Sequence, residues 1–304
     1  MNQAAAKIPY KKPWLSCADQ VALLAQRGLI IADVPAAEQF LAHLNYYRFS
    51  GYCLAFEPQR HAFLAGTTFE QVVAAYQFDL TLRHLLTEAL ETIEVDLRTA
   101  VAYSFGRKYD AFGHTNPNHF FSRFRHQEWL DRLHDEVDRS SELFVTHFEQ
   151  TYREFPDLPV WIATEVMSFG GLSTMFAGML KKDQKVIAQR YRLQPRVLRS
   201  WMHHLVYVRN LCAHHSRLWD RVWAIKPELP AGNAWQPPVL PGNRHLFSTL
   251  LLLRHLMKYI PAIYTFASEW QARVNRHLAD PPSAPNVLDR MGLTPDWDQH
   301  PVWL

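Results

Sequence analysis

The chain has 304 residues, 48% of them hydrophobic and 20% charged, a balance that supplies a packed core and excludes disorder as the default. Its formal charge of +3 excludes a global polycation, so an anionic partner has to be met by a local patch. The three cysteines, Cys17, Cys53 and Cys212, are odd in number and scattered, which excludes a disulfide framework and points to a reducing compartment.

Residues 1–14 form a basic, proline-punctuated lead-in with no apolar core of signal-peptide length. In "SCADQVALLAQRGL", Ser16 is placed to cap a helix carrying Val21, Leu24 and Ala25, and Gly28 is placed to stop it. "DVPAAEQFLAHLNYYRFSGY" predicts a second helix from Asp33, with Pro35 in its first turn, to Gly51. "GTTFEQ" sets Thr67 three residues before Glu70, the pattern of a capping box. Beyond it, Val72, Tyr76, Leu82, Leu86, Ile93 and Leu97 recur at helical steps, and neither Gly nor Pro intervenes from Phe69 to Phe105.

Further helices are expected over about 126–153, 159–180, 196–216 and 244–274, with loops at 106–119, 155–159 and 226–243. "SFGGLS" has adjacent glycines but no P-loop lysine, so it marks a kink or close packing. "LFSTLLLLRHLMKYIPAIY" is interrupted by Arg254, His255 and Lys258 and reads as a buried helix rather than a membrane span. No alternating strand pattern and no fixed repeat occurs. The expectation is an all-α chain in the cytoplasm: a single helical domain over 15–280, then an irregular proline-rich arm, 281–304, that packs on it and exposes Trp297 and Trp303.

The stretch "VRNLCAHHSRLWDR" concentrates chemistry. On a helical wheel Leu198, Trp201, Leu205, Val208 and Cys212 gather on one side. His203, Tyr207, Asn210, His214 and Arg217 gather opposite, with Arg209 at the boundary, roughly 140° from His214. His203, His204, Cys212, His214 and His215 are zinc ligands by type, but their spacing matches no metal motif, and no metal or other cofactor is expected. Cys212 lies on the core face, where a thiol is an inert small hydrophobe. An acid/base reading suits the stripe better. RNA can be cut without metal when its 2′-OH attacks the neighbouring phosphorus, a histidine shuttles protons and an arginine fork stabilises the phosphoryl charge.

The same residues carry a resemblance. "RNLCAHHSRLW" resembles the R-x4–6-H motif of HEPN-type proteins, in the form found in Abi-like abortive-infection proteins of the AbiD/AbiF kind. "HLNYYRFSGYCLAF", "GTTFEQVVAAYQFDLTLRHLL", "ALETIEVDLRTAVAY", "LPVWIATEVMSFGGLS" and "MGLTPDWDQHPVW" resemble the same family in the same order, so the likeness runs over nearly the whole chain. It implies a HEPN-like helical bundle with its core at about 67–275 and additional N-terminal helices. It also implies a bacterial phage-defence role, and similarity to the RNA-cutting domains of RNA-guided type VI CRISPR effectors. By that resemblance Arg209 and His214 are the paired catalytic residues and Asn210 the intervening polar one, in an active site formed where two copies meet as a homodimer.

Each group has a plainer reading beside the functional one. Arg209 has a candidate carboxylate in Glu94, and His214 can cap a helix C-terminus, which favours a cation by about 0.3–1 kcal/mol. Glu94 and Arg98 sit at ion-pair spacing on one helix. Asn45 to Arg48, "NYYR", can stack on RNA or simply pack, with the arginine snorkelling. "KKDQKVIAQRYRLQPRVLR" sets Lys181, Lys182, Lys185, Arg190, Arg192, Arg196 and Arg199 against Asp183 alone. This is either a solvated surface or an RNA-phosphate path, which His203, Tyr207, His215 and Arg217 would extend. The expected partner is RNA, either a target or a structured non-coding RNA. The alternative to an endoribonuclease is an RNA-binding protein of the same fold that carries or sequesters its RNA.

Overall fold

The computed structural model describes residues 9–10, 12–260 and 264–304. Most of the lead-in read at 1–14, and three residues of the helix expected over 244–274, lie outside them. The described residues carry thirteen α-helices, short 3-10 turns and isolated bridges, with no strand; the fold is all-α. No helix among them is long and apolar enough to cross a membrane. The chain forms two compact units, one of the residues up to Phe78 with Pro282–Pro285, the other of Asp79–Pro281 and Asn286–Leu304.

The first unit contains α1 (Cys17–Gln26), α2 (Val34–His43), α3 (Tyr46–Cys53) and the start of α4 (Phe69–Tyr109). Ser16 closes a capping box with Asp19, and Asp33 accepts from the Ala36 N–H with Pro35 behind it, both as local chemistry dictates. The helix expected from Asp33 to Gly51 is two helices. Leu44 turns extended, and Asn45 restarts the chain by accepting from the Tyr47 N–H. The capping box before α4 is one residue later than expected: Thr68 and Gln71 exchange the two bonds. Thr67 is diverted, since its carbonyl accepts from the Ile30 N–H at 2.9 Å. Phe40, Phe49 and Phe69 pack ring on ring in this unit's core.

The second unit holds the rest of α4 with α5 (His126–Asp138), α6 (Leu143–Thr151), α7 (Val160–Val166), α8 (Phe169–Gly178), α9 (Lys181–Arg190), α10 (Pro195–Ala213), α11 (Leu246–Met257), α12 (Tyr264–Leu278) and α13 (Val287–Met291). α10 packs against α8 and α9, α5 against α7 and α8, and α11 against α12. Three expected helices are each divided. The run 126–153 breaks at Arg139, the run 159–180 at Met167, and α11 and α12 are separate. At Met167 the guanidinium of Arg98 takes the Thr164 and Met167 carbonyls, and Ser168 caps α8 through the Gly171 N–H. Gly171 is needed there, because a Cβ would meet the Met167 side chain at 2.7 Å; the glycine pair marks a close packing point.

α9 was not expected as a helix. Its buried face carries Asp183 and Gln184 beside Ile187 and Ala188. Gln184 donates to the Phe176, Ala177 and Met179 carbonyls, finishing α8, and Asp183 holds Lys108 and the Tyr109 hydroxyl. The C-terminal tryptophans also differ from expectation: Trp297 and Trp303 are buried, not exposed. Trp303 packs tilted against Trp270 and edge-on to Trp297, and its indole N–H donates to Asn275 at 2.8 Å.

Candidate functional site

α10 begins with Pro195 in its first turn, where a missing N–H costs nothing, and buries Leu198, Trp201, Leu205, Val208 and Cys212. It stops at Ala213, not at 216 as expected. His214 is the C-cap and His215 adopts φ +54°. The His215 N–H donates to Cys212 and the Ser216 N–H donates to Leu211. This is a Schellman closure with histidine in the left-handed position that glycine usually takes.

The segment beyond this turn is fastened to α4. The carboxylate of Asp79, fully buried, accepts from the Leu218 and Trp219 N–H groups at 2.9 Å each. It also pairs with Arg83 one turn on, whose guanidinium reaches the Ser216 carbonyl. A buried ion pair is favourable only with its remaining lone pairs filled, and here the two backbone donors fill them. Between these anchors the Cys212 thiol meets the Thr87 hydroxyl, and burial pushes it up to about 11, so it is not a nucleophile at neutral pH. Asp79, Arg83 and the neighbouring His84 were not singled out from the sequence. The available signal was an acid and an arginine four residues apart among the leucines of "FDLTLRHLL".

Arg209, Asn210 and His214 are all exposed. Arg209 makes no ion pair among the described residues. Its candidate partner Glu94 instead holds Arg98, which is the intrahelical pair that the spacing predicts. Arg209 lines a cleft of about 590 Å³ between α4 and α10, together with His215 from the closing turn and His84 and Glu91 from α4. Asn210 and His214 are not among its lining residues. One chain thus brings Arg209 and His215 together and leaves Asn210 and His214 on another aspect of the helix, as the wheel requires.

The basic residues divide sharply. Lys181, Lys182 and Lys185 are exposed on α9 and make no ion pair among the described residues. Arg190 is held by Asp96, which also accepts from the Tyr191 hydroxyl at 2.6 Å. Arg196 is held by Glu228, and Arg217 lies 3.7 Å from Asp220, which also takes Arg290. Arg192 sits over the Tyr259 ring, 5.6 Å from its centre. Arg199 and His203, one turn apart, line a polar hollow of about 420 Å³ with Ser173 and Ser200. The Tyr207 hydroxyl accepts from the Ala224 N–H at 3.4 Å. A local count of acids sets the seven cations against Asp183 alone. Asp96 and Glu228 arrive from distant parts of the chain, and Asp183 itself is occupied by Lys108.

His204 belongs to the core. Its Nδ1–H donates to the Ile225 carbonyl at 2.6 Å, and Nε2 lies 2.9 Å from the Thr249 hydroxyl. A carbonyl only accepts, so the Nδ1 position carries a proton. Burial pushes the ring's pKa down to about 4. No group of three or more His, Cys, Asp or Glu side chains among the described residues is arranged to hold a metal ion.

Among curated proteins and among solved structures nothing matches the chain. A family model described as Abi-like protein matches residues 39–220, more than half of the 304. That span includes α4 with its Asp79–Arg83 anchor, the basic α9 and the whole of α10 with its closing turn. The chain belongs to the Abi-like protein family.

Proposed function

We propose that this protein is a metal-independent endoribonuclease of the HEPN kind, working as a homodimer in bacterial abortive-infection defence. Membership of the Abi-like family suggests the defence role. The observation that carries the chemistry is an exposed guanidinium at Arg209 that makes no ion pair among the described residues. It stands on the same helical end as exposed Asn210 and His214, and the segment that follows that end is bonded to Asp79 and Arg83 of α4. A fork of donors without an ion pair, on a helix end fastened to α4, suits an anion that offers two oxygens side by side, such as the non-bridging oxygens of a phosphodiester.

The reaction follows from these groups. The imidazole of His214 takes the proton from a substrate 2′-OH, the 2′ oxygen bonds to phosphorus, and the P–O5′ bond breaks. The 5′ oxygen leaves with a proton returned from an imidazolium. Arg209 bears on the charge that grows on the phosphoryl oxygens, where fixed donors act most strongly. Because Arg209 and His214 face different sides of one helix, the two act together when α10 of a second copy lies across a two-fold axis.

The test is cleavage of an end-labelled RNA by the purified chain in EDTA. The expected products carry a 2′,3′-cyclic phosphate and a 5′-hydroxyl, and a 2′-deoxy sugar at the cut site should block cleavage. A requirement for a divalent ion, or equal cutting of DNA, overturns the mechanism. One observation favours a second reading, a non-catalytic RNA carrier: within one chain His214 does not line the Arg209 cleft. A strict monomer that binds RNA tightly and never cuts it would establish that reading.

A further inference from the structure

The "NYYR" segment and the end of the lead-in meet in the N-terminal unit, at a cleft of about 720 Å³ that the cleavage chemistry does not use. Its rim is aromatic. Tyr47 is 87% exposed and Tyr10 83%. Aromatic rings hide some 150–250 Å² each when packed, so two left in water around one hollow are a cost with no return in the unit's own core. The floor is open at Gly51, where an added Cβ meets nothing within 4 Å.

The charge of the cleft is one-sided. Lys12, Arg27 and Arg60 line it against a single carboxylate, Glu57, which is occupied by the His61 N–H at 3.0 Å. Lys12 and Arg60 are exposed and make no ion pair among the described residues. Arg27 donates one N–H to the Tyr46 hydroxyl at 2.9 Å, and a guanidinium has five such donors. Exposed ring faces accept bases of any identity, and cations beside them accept the phosphates between those bases; the two together are the requirements of a single-strand platform. A proline-rich peptide also stacks on tyrosines, but being neutral it gains nothing from three cations.

We infer that this cleft binds a short run of single-stranded nucleic acid, with bases stacked on Tyr47 and Tyr10 and phosphates held by Lys12 and Arg60. The site lies in the compact unit that does not contain Arg209 and His214, and its occupancy does not depend on cleavage.

The test uses the full chain and a fluorescent 2′-O-methyl oligouridine, which has no 2′-OH to attack, followed by anisotropy. Tyr47→Ala should weaken binding about tenfold, the worth of one stacking platform. Gly51→Leu, which fills open space at a helical position, should weaken it as much without lowering the melting temperature. Lys12→Glu with Arg60→Glu should reduce the salt slope by about 0.7 per lost phosphate contact. The inference is overturned if the chain does not bind the probe, if all three variants bind it unchanged, or if an uncharged proline-rich peptide displaces it. Absence of cleavage on ordinary RNA would remove the nuclease proposal and leave this result standing.

Discussion

α10 carries two histidine pairs, His203–His204 near its middle and His214–His215 at its end, and the fold treats them in opposite ways. In the middle pair His204 is buried, bonded at both ring nitrogens and held neutral, while His203 borders a polar hollow. In the terminal pair His215 closes the helix in a left-handed conformation, and His214, the cap, is left to solvent. The same dipeptide thus serves once as a core hydrogen-bond bridge and once as a helix end that presents an imidazole. The difference lies in the backbone. A mid-helix residue on the inner face has its surroundings filled, whereas a Schellman turn spends one residue on the reversal and frees the one before it. Under the proposed function, proton exchange with a ligand belongs to the end of the helix, and conformational stability to the middle.

Substitution at the terminal pair and its neighbour should have the largest effect. His214→Ala and Arg209→Ala should each lower RNA cleavage by about 10²–10⁴-fold, with the melting temperature unmoved. Arg209→Lys should not restore it, since a point charge lacks the fork. Cleavage that survives both alanine variants would place the chemistry elsewhere, with His84 and His215 of the Arg209 cleft the next pair to test. The contrast is sharpened by Asp79→Ala. It strands the buried Arg83 and two backbone donors, and should cost about 3–5 kcal/mol in urea denaturation. If stability is unchanged, the end of α10 is not held by that anchor.

The middle pair predicts a pH dependence of defined sign. The folded pKa of His204, about 4, lies below its ordinary 6.5 because burial disfavours the charged ring. The unfolded chain therefore binds the proton first as pH falls. The contribution is complete above pH 6.5 and is lost as pH falls through 4, at roughly 3 kcal/mol in full. Denaturation at pH 7 and at pH 4.5 measures it. His204→Gln should flatten the dependence without abolishing it, because burial pushes His114 down to about 4 as well. The smallest effect concerns the basic segment. Reversing Lys181, Lys182 and Lys185 should weaken RNA binding and flatten its salt dependence. Arg196→Ala, which removes a half-exposed ion pair with Glu228, should change stability by less than about 1 kcal/mol. An unaltered salt slope in the triple lysine variant would make α9 a solvated face only.

Local chemistry was legible where it acts alone. Ser16, Asp33 and Pro35 start their helices, and Glu94 finds Arg98, because capping and one-turn pairing need only neighbours in sequence. The slip from Thr67 to Thr68 arose because "TTFEQ" contains two overlapping capping patterns, and a contact from Ile30 chooses between them. The break at Met167 is fixed by Arg98, some seventy residues away, which no local window contains. α9 was hidden because it buries Asp183 and Gln184 in place of apolar side chains, so its pattern lacks hydrophobic period. At the site, the exposed stripe of α10 and its core face were legible from the wheel. The early stop at Ala213, the pairing of Arg190 and Arg196, and the entry of His84 and His215 into the Arg209 cleft were not, since each depends on what another segment brings.

The burial of the C-terminal tryptophans has an optical consequence. Of the ten indoles, Trp14 and Trp161 stand well in water, and the other eight, Trp297 and Trp303 included, are enclosed. Enclosed indoles emit at shorter wavelength and are out of reach of a charged collisional quencher. Iodide should therefore extinguish a small red-edge fraction of the emission from the folded chain and nearly all of it after unfolding. Since Trp161 lies on α7 and Trp14 precedes α1 in the N-terminal unit, replacing Trp161 with phenylalanine turns that residual red-edge signal into a single-residue optical reporter for the N-terminal unit, one that needs no attached dye.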